Sequence, residues 1–165
     1  MVESKLLISP MIKSNSKFRL LGYKKIVSSS IFELGIKIKN ISHSPFPGGT
    51  IKKIRIESSI EHYINSSEKE FHIPPINPEE VILIWFEKTT LPKLSQAWFK
   101  LDIADCEDTI TYQWDRGNKC PTKCLDGKNK WENLLIINDE NILQQAITNL
   151  LLLMLTLVSV IKLFC

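Results

Sequence analysis

Several stretches of the chain alternate apolar and polar residues, which is the spacing of a strand with one buried face. Over residues 31–41, apolar side chains alternate with charged ones and with glycine. A turn rich in proline and glycine follows at residues 44–49. Proline fixes φ and glycine allows a positive φ, so this segment can reverse the direction of the chain. The same alternation returns over residues 51–57, 96–103 and 109–114. These stretches predict antiparallel strands joined by turns.

One stretch departs from this alternation. Residues 81–86 are Val, Ile, Leu, Ile, Trp and Phe, six successive residues of high strand propensity, which is typical of a strand buried on both faces or nearly so. With less clearly patterned strands near the N-terminus, we expect seven to eight short strands and no amphipathic helix before residue 139. The predicted fold class is therefore all-β, an antiparallel β-sandwich over residues 1–116 followed by one C-terminal α-helix.

The C-terminal stretch is much more apolar than the rest of the chain. From Ala146 to Cys165 it holds a single charge, Lys162. Twenty helical residues extend about 30 Å, the thickness of the hydrocarbon core of a bilayer. A helix over residues 139–165 is either a transmembrane anchor or a buried helix of the domain's own core. Its apolar residues lie on every side, which favours the anchor. The residues expected to face lipid include Ala146, Leu150, Leu153, Leu157 and Ile161.

Charge and the N-terminal residues bear on partners and location. The formal charge is only +3, from 21 Lys and Arg against 18 Asp and Glu, so nucleic acid is not an expected partner. Residues 1–22 lack the apolar stretch of a secretory signal. We therefore expect a single-pass membrane protein whose sandwich lies in the cytoplasm. An extracellular sandwich is the alternative, and Lys162, placed after the apolar stretch, weakly favours it by the positive-inside rule.

The cysteines offer the other candidate chemistry. Cys120 and Cys124 have three residues between them, a spacing that structural zinc sites use, and Cys106 is a third candidate ligand. No fourth ligand lies nearby in the sequence. A disulfide among these cysteines would need an oxidising compartment, and reduced thiols in a linker over residues 117–138 are the third possibility. We expect no cofactor, with zinc as the alternative, and no enzymatic activity, because the three histidines have no nucleophile or carboxylate at a diagnostic spacing.

The order of features along residues 30–104 resembles a known kind of module. An alternating strand ends at Asn40, the proline and glycine turn follows, and the phrase Phe71-His-Ile-Pro-Pro-Ile-Asn-Pro-Glu-Glu precedes a strand that contains Trp85. The phrase Trp98-Phe-Lys-Leu-Asp-Ile comes next. This order resembles the immunoglobulin-like modules of the CARDB and NPCBM-associated kind found in archaeal and bacterial surface proteins. The resemblance implies an immunoglobulin-like sandwich used for adhesion, scaffolding or spacing, with no catalytic residues to transfer.

Together these features predict a non-catalytic, membrane-anchored β-sandwich that mediates protein–protein interaction, adhesion or scaffolding, for example as a small subunit of a membrane-associated assembly. Its partner would be a protein of unknown identity, and the membrane would be contacted through the C-terminal helix. The alternative is a small metal-binding or redox protein that uses Cys106, Cys120 and Cys124.

Overall fold

The structure is a computed structural model that describes residues 4–15, 26–58, 65–92, 96–104, 109–115, 118–122 and 129–164. Eleven strands and one helix occupy these ranges. The elements are β1 (Ser4–Ser14), β2 (Ile26–Val27), β3 (Phe32–Asn40), β4 (Gly49–Glu57), β5 (Asn65–Ser67), β6 (Phe71–Ile73), β7 (Val81–Thr89), β8 (Gln96–Ala104), β9 (Thr109–Asp115), β10 (Asn118–Thr122), β11 (Asn129–Asn138) and α1 (Glu140–Phe164).

The strands form two sheets that pack face to face. A five-stranded sheet has the order β10-β9-β1-β3-β7, and a six-stranded sheet has the order β2-β11-β8-β4-β5 with β6 also paired to β4. The predicted class, a β-sandwich followed by one C-terminal helix, is confirmed. The strands outnumber the seven to eight predicted. Two of the pairings are parallel, β1 with β9 and β2 with β11. Both join strands far apart in the chain, which leaves room for the long connection that parallel strands need.

Alternation along the strands builds the core between the sheets. On β3, for example, Ile36 and Ile38 are fully buried whereas Lys37 between them is exposed. A row of edge-to-face aromatic contacts crosses the core, with ring centroids 5.0 Å apart for Phe71 and Phe86, 5.9 Å for Phe86 and Phe99, and 5.4 Å for Phe99 and Trp131. Residues of both sheets therefore share one apolar interior, which stabilises the sandwich.

The predicted linker over residues 117–138 is wrong, and so is the predicted domain boundary at residue 116. This stretch contains β10 and β11, and β11 lies inside the six-stranded sheet between β8 and β2. Trp131 on β11 is 0% exposed and belongs to the core. The sandwich therefore continues to Asn138. The sequence of β11 carries Trp131, Leu135 and Ile137 on its inner face, an alternation that the nearby cysteines and the run Leu134 to Ile137 obscured.

The prediction that residues 81–86 are buried on both faces is also wrong. They belong to β7, which is the edge strand of the five-stranded sheet. Its outer-face residues Val81, Leu83 and Trp85 are 41%, 57% and 41% exposed. Trp85 lies over Gly35 of β3, where a Cβ atom would come within 2.7 Å of the indole ring and of the Ile84 carbonyl oxygen. Glycine at position 35 therefore makes room for Trp85 beside it.

A buried asparagine fixes the loops at one end of β3. Asn40 is 0% exposed, and its Nδ2 donates to the carbonyl oxygens of Ser44 and Ile76, each at 2.9 Å. Its Oδ1 accepts a hydrogen bond from the Ser42 backbone N–H at 3.0 Å and another from the Ser42 hydroxyl. The side chain of Asn40 therefore joins the turn after β3 to the segment that leads into β7.

Candidate interaction surfaces

The helix α1 presents an apolar surface that the sandwich does not cover. Residues Glu140–Lys162 form a 23-residue stretch that is long and apolar enough to cross a membrane, and none of the residues in its most apolar window is buried. The exposed fractions of Leu150, Leu153, Leu157 and Ile161 lie between 54% and 59%, and Ala146 is exposed as well. The alternative in which this helix is part of the domain's own core is therefore wrong.

Polar side chains within α1 are satisfied by the helix itself. The hydroxyl of Thr148 donates to the Gln144 carbonyl oxygen at 3.0 Å, that of Thr156 to Leu153 at 2.7 Å, and that of Ser159 to Leu155 at 2.9 Å. A hydroxyl group bonded to a carbonyl three or four residues earlier needs no water. The polar groups of Thr156 and Ser159 are thus compatible with an apolar environment around the helix.

Hydrogen bonds tie the end of β11 and the start of α1 to β2 and to Ser28, which follows β2. Asp139 acts as the N-cap, since its carboxylate accepts a hydrogen bond from the Asn141 N–H at 2.8 Å. The Glu140 N–H donates to the Ser28 hydroxyl at 3.2 Å, and the Asn138 side-chain amide donates to the Ile26 carbonyl at 3.0 Å. The Ser28 N–H donates to the Asn138 carbonyl at 2.9 Å. These bonds fix the point at which the helix leaves the sandwich.

A second apolar surface lies on the six-stranded sheet near this junction. Trp98 of β8 is paired directly with Leu134 of β11, and the two side chains are 42% and 39% exposed. Ile136, two residues closer to α1, is 55% exposed. The outer face of this sheet is therefore apolar at the end where α1 begins.

The same outer face becomes charged farther from α1. The Arg55 guanidinium lies 2.7 Å from the Asp102 carboxylate, and the Lys100 ammonium lies 2.7 Å from Glu57 and 3.7 Å from Glu132. The hydrogen bond to Glu57 raises the pKa of Lys100 above its ordinary value, although partial desolvation opposes the shift. Opposite charges are paired across neighbouring strands, so this part of the face consists of compensated charge.

The side of the sandwich next to β7 carries a third apolar surface. Val81, Leu83 and Trp85 line the outer face of β7, beside Lys39, Lys37 and Gly35 of β3. Between the two sheets at this side, Lys69 and Glu87 form an exposed ion pair at 3.1 Å. Among the described residues, no strand pairs with the outer edge of β7.

The cysteine cluster is only partly placed. Cys106 and Cys124 lie outside the described residues, and Cys120 lies on β10, opposite Gln113 of β9. Within the ranges that the structure describes, no group of three or more His, Cys, Asp or Glu is placed to hold a metal ion. The zinc and disulfide alternatives for Cys106, Cys120 and Cys124 stay as predictions.

Sequence reasoning did not separate the tryptophans by role. Trp131 is buried in the core, whereas Trp85 and Trp98 lie on exposed surfaces of opposite sheets. The alternation around Trp98, in which Phe99 and Leu101 take the inner face, already places Trp98 outward with Lys100. For Trp85, the uninterrupted apolar run gave no such signal.

Comparison with known proteins gives structural matches only. No family model matches the sequence, and no curated protein matches it. A crystal structure of the CARDB domain of a Pyrococcus furiosus protein, in complex with di-metal ions, matches 82% of this chain and 89% of that domain with a TM-score of 0.44 and 10% identity. A solution NMR structure of the same domain matches 84% and 98% with a TM-score of 0.41 and 14% identity. Both are CARDB domains, the kind of module that the sequence resembles, while the fold described above rests on the strand pairing itself.

Proposed function

We propose that this protein is a membrane-anchored, non-catalytic β-sandwich that mediates protein–protein interaction, as an adhesion or scaffolding module. The observation that carries the proposal is the exposure of α1, whose part over residues 150–161 is apolar on every side and whose most apolar window contains no buried residue. An apolar helix of this length is not stable in water as a bare surface, so lipid or a partner must cover it.

Lipid is the occupant that best fits the details of α1. Its length matches the hydrocarbon core, and its hydroxyl groups bond back to the helix, as an apolar surrounding requires. The residues Leu150, Leu153, Leu157 and Ile161 are more than half exposed on a helix without a polar stripe in this part. Water-facing residues such as Gln144, Gln145 and Asn149 are confined to the first turns, next to the sandwich.

The sandwich supplies the interaction part of the proposed role. It offers two apolar surfaces outside α1, one on β7 and one formed by Trp98, Leu134 and Ile136. Exposed apolar patches on a folded domain mark sites of association, and protein is the partner that such patches favour. Basic residues do not dominate either patch, so nucleic acid is not part of the proposal. The charged residues of the six-stranded sheet pair with one another, and the proposed role assigns them no reaction.

The proposal also includes the side of the membrane on which the sandwich lies. We place it in the cytoplasm. The experiment uses an impermeant maleimide and a single introduced cysteine, Glu70→Cys, at an exposed position in a chain whose four native cysteines are serine. Position 70 should be labelled only after the cells are permeabilised. Labelling of intact cells would place the sandwich outside and reverse the assignment.

The anchor itself is tested by flotation with phosphatidylcholine vesicles. The full chain should float with the vesicles, whereas a chain that ends at residue 141 should stay in solution. The shorter chain keeps the hydrogen bond from Glu140 to Ser28, and none of residues 142–162 is buried, so it should retain the β-rich circular dichroism and the melting temperature of the full chain. A full chain that stays soluble without detergent and does not float would overturn the proposal.

A further inference from the structure

The two ends of the sandwich differ in the residues that their described parts expose. At the end where α1 begins, five large apolar side chains are between 37% and 55% exposed, namely Ile12, Ile31, Trp98, Leu134 and Ile136. At the opposite end, the exposed residues of the described loops over 42–48 and 74–80 are histidine, proline, asparagine and glutamate. Apart from Val81, Leu83 and Trp85 on β7, every exposed large apolar residue of the described sandwich lies at the end next to α1.

Strand pairing shows that these five residues share one end. The turn after β2 contains Ile31, and because β2 runs parallel to β11, this turn lies level with the start of α1. β3 begins directly after the turn and is antiparallel to β1, so the end of β1, with Ile12, lies there as well. β8 is antiparallel to β11, so its start, with Trp98, lies beside the end of β11. We call these five residues the apolar end of the sandwich.

No linker separates the apolar end from the proposed membrane span. β11 ends at Asn138 and α1 begins at Glu140, which is also the first residue of the stretch long and apolar enough to cross a membrane. Hydrogen bonds to β2 and to Ser28 hold this junction on the sandwich. The one connecting residue extends at most about 3.5 Å, so an inserted α1 brings the apolar end to the lipid surface.

We propose that the apolar end rests at the boundary between headgroups and acyl chains of the bilayer that α1 enters, with Trp98, Leu134 and Ile136 in contact with lipid. The inference rests on the proposed anchor and extends it, because it names a lipid-binding surface on the sandwich and the side of the domain that faces the membrane. It assigns this patch to lipid and leaves β7 as the exposed apolar surface for a protein partner.

The outer face of the six-stranded sheet changes in the direction that a membrane surface requires. Trp98 combines an apolar ring with an N–H donor, which is why tryptophan is frequent at bilayer interfaces. The next row away from α1 is charged, with Lys100 opposite Glu132. Glu57, paired with Trp98 from β4, directs its carboxylate to Lys100 at 2.7 Å. The apolar rows therefore lie nearest the lipid, and the charged rows lie farther out in water.

The apolar end is too small to hold the sandwich on a bilayer without α1. Even a single myristoyl chain gives only marginal and reversible membrane binding, and the five side chains here are only partly exposed. With α1 inserted, the apolar end is already at the surface, so a weak contact is sufficient to orient the sandwich. A chain that ends at residue 141 should therefore stay in solution even though it keeps the apolar end.

Fluorescence quenching tests the contact in vesicles that contain the full chain. The probe is phosphatidylcholine brominated near the carbonyl end of its acyl chains, which quenches a tryptophan only at short range. The wild-type chain should be quenched, and Trp98→Phe should remove most of the quenching. Trp85→Phe is the matched control, since Trp85 is 41% exposed on the other sheet against 42% for Trp98, and it should leave the quenching intact. Equal quenching in wild type and Trp98→Phe would overturn the inference.

A fluorophore at single introduced cysteines gives an independent measurement. Ile136→Cys and Leu83→Cys, in a chain whose native cysteines are serine, carry the polarity-sensitive label nitrobenzoxadiazole at positions that are 55% and 57% exposed on opposite sheets. In phosphatidylcholine vesicles, the emission from position 136 should shift to the blue relative to the chain that ends at residue 141, and the emission from position 83 should not. A shift at position 136 without quenching of Trp98 by brominated lipid would mean that protein covers the patch, which contradicts the inference.

These results are separable from those of the anchor test. A chain that floats with vesicles but shows neither the quenching of Trp98 nor the shift at position 136 would keep the anchor and remove the lipid contact of the sandwich. A chain that does not float would remove the anchor, and the inference with it.

Discussion

The sandwich and α1 use apolar residues in opposite ways. In the sandwich, alternation sends residues such as Ile36 and Phe99 to 0% exposure, while intervening residues such as Lys37 face outward. In α1, Leu150, Leu151 and Leu152 are consecutive and each 55% exposed. A strand with one apolar face can be covered by a second sheet of the same chain, whereas a helix apolar on every side cannot be covered by one neighbour. The comparison indicates that the sandwich is stable by itself and that α1 requires a surrounding from outside the chain.

The largest expected effect is on the free energy of unfolding, which a core substitution in the sandwich should lower and a substitution in α1 should not. Trp131→Ala removes a fully buried indole that packs edge-to-face against Phe99, and it should lower the free energy of unfolding of the sandwich by about 3–5 kcal/mol. Leu155→Ala, at a position that is 63% exposed on α1, should leave that free energy unchanged. Urea denaturation of both variants in micelles makes the measurement. A similar loss for Leu155→Ala would show that α1 packs on the sandwich and would break the comparison.

The loss of a buried polar side chain should come next. Asn40→Ala leaves the carbonyl oxygens of Ser44 and Ile76 and the Ser42 N–H without their partner, and it should destabilise the sandwich by about 2–4 kcal/mol. The control is Asn77→Ala, which removes an exposed amide and keeps the hydrogen bond that the backbone N–H of residue 77 donates to the Glu80 carboxylate. Thermal unfolding compares the two. Equal melting temperatures would mean that the Asn40 side chain does not join the two loops.

A smaller effect should follow from crowding beside Trp85. In Gly35→Ala the new methyl group would lie 2.7 Å from the indole ring and from the Ile84 carbonyl oxygen, which forces β7 and β3 apart locally. We expect a destabilisation of about 1–3 kcal/mol, together with a change in tryptophan fluorescence. The variant Gly35→Ala/Trp85→Ala should recover part of the loss if the ring is the main obstacle. An unchanged melting temperature for Gly35→Ala alone would contradict the packing of Trp85 on β3.

The smallest effect concerns the charged part of the six-stranded sheet. Because the hydrogen bond to Glu57 raises the pKa of Lys100 above 10.5, its contribution to stability is present below pH 10.5 and is lost as the pH rises through the folded-state pKa. Lys100 is partly exposed, so the contribution should be only about 0.5 kcal/mol. Lys100→Met should therefore lose stability below pH 10.5 relative to wild type and approach it at higher pH. A stability difference between Lys100→Met and wild type that stays constant across this pH range would contradict the raised pKa of Lys100. The control is Lys37→Met, which removes a lysine from the other sheet.

The positions of β7 and β11 show where sequence patterns were sufficient and where they failed. The all-β class and the C-terminal helix followed from period-two alternation and from the continuous apolar run. Hydrophobicity alone could not place β7, because an apolar strand at an edge and one in the interior of a sheet have the same composition. β11 was missed because Trp131, Leu135 and Ile137 alternate inside a stretch that was interpreted as a linker around the cysteines. Whether a strand lies at the edge or in the centre of a sheet depends on its pairing with distant strands. The local sequence of one strand does not show that pairing.

The candidate surfaces were predictable to a similar extent. Ala146, Leu150, Leu153, Leu157 and Ile161 were expected to be exposed to lipid, and all five are exposed on α1. The patch of Trp98, Leu134 and Ile136 was not expected, because it forms only when β8 and β11 pair in the observed register. The hydrogen bond from the Glu140 N–H to the Ser28 hydroxyl could likewise not be predicted, since it joins residues 112 positions apart.

Insertion of α1 into a bilayer is the claim that the comparison depends on most, and extraction of membranes with alkaline carbonate tests it most directly. The wild-type chain should remain in the membrane pellet. Leu153→Lys/Leu157→Lys places two charges in the apolar stretch at about 2.5–3.5 kcal/mol each and should move the chain to the supernatant. Gln144→Lys/Thr148→Lys adds the same charge near the sandwich and should stay in the pellet. If Leu153→Lys/Leu157→Lys also resists extraction, or if the wild-type chain is released, α1 does not span the bilayer and its apolar surface is covered by protein.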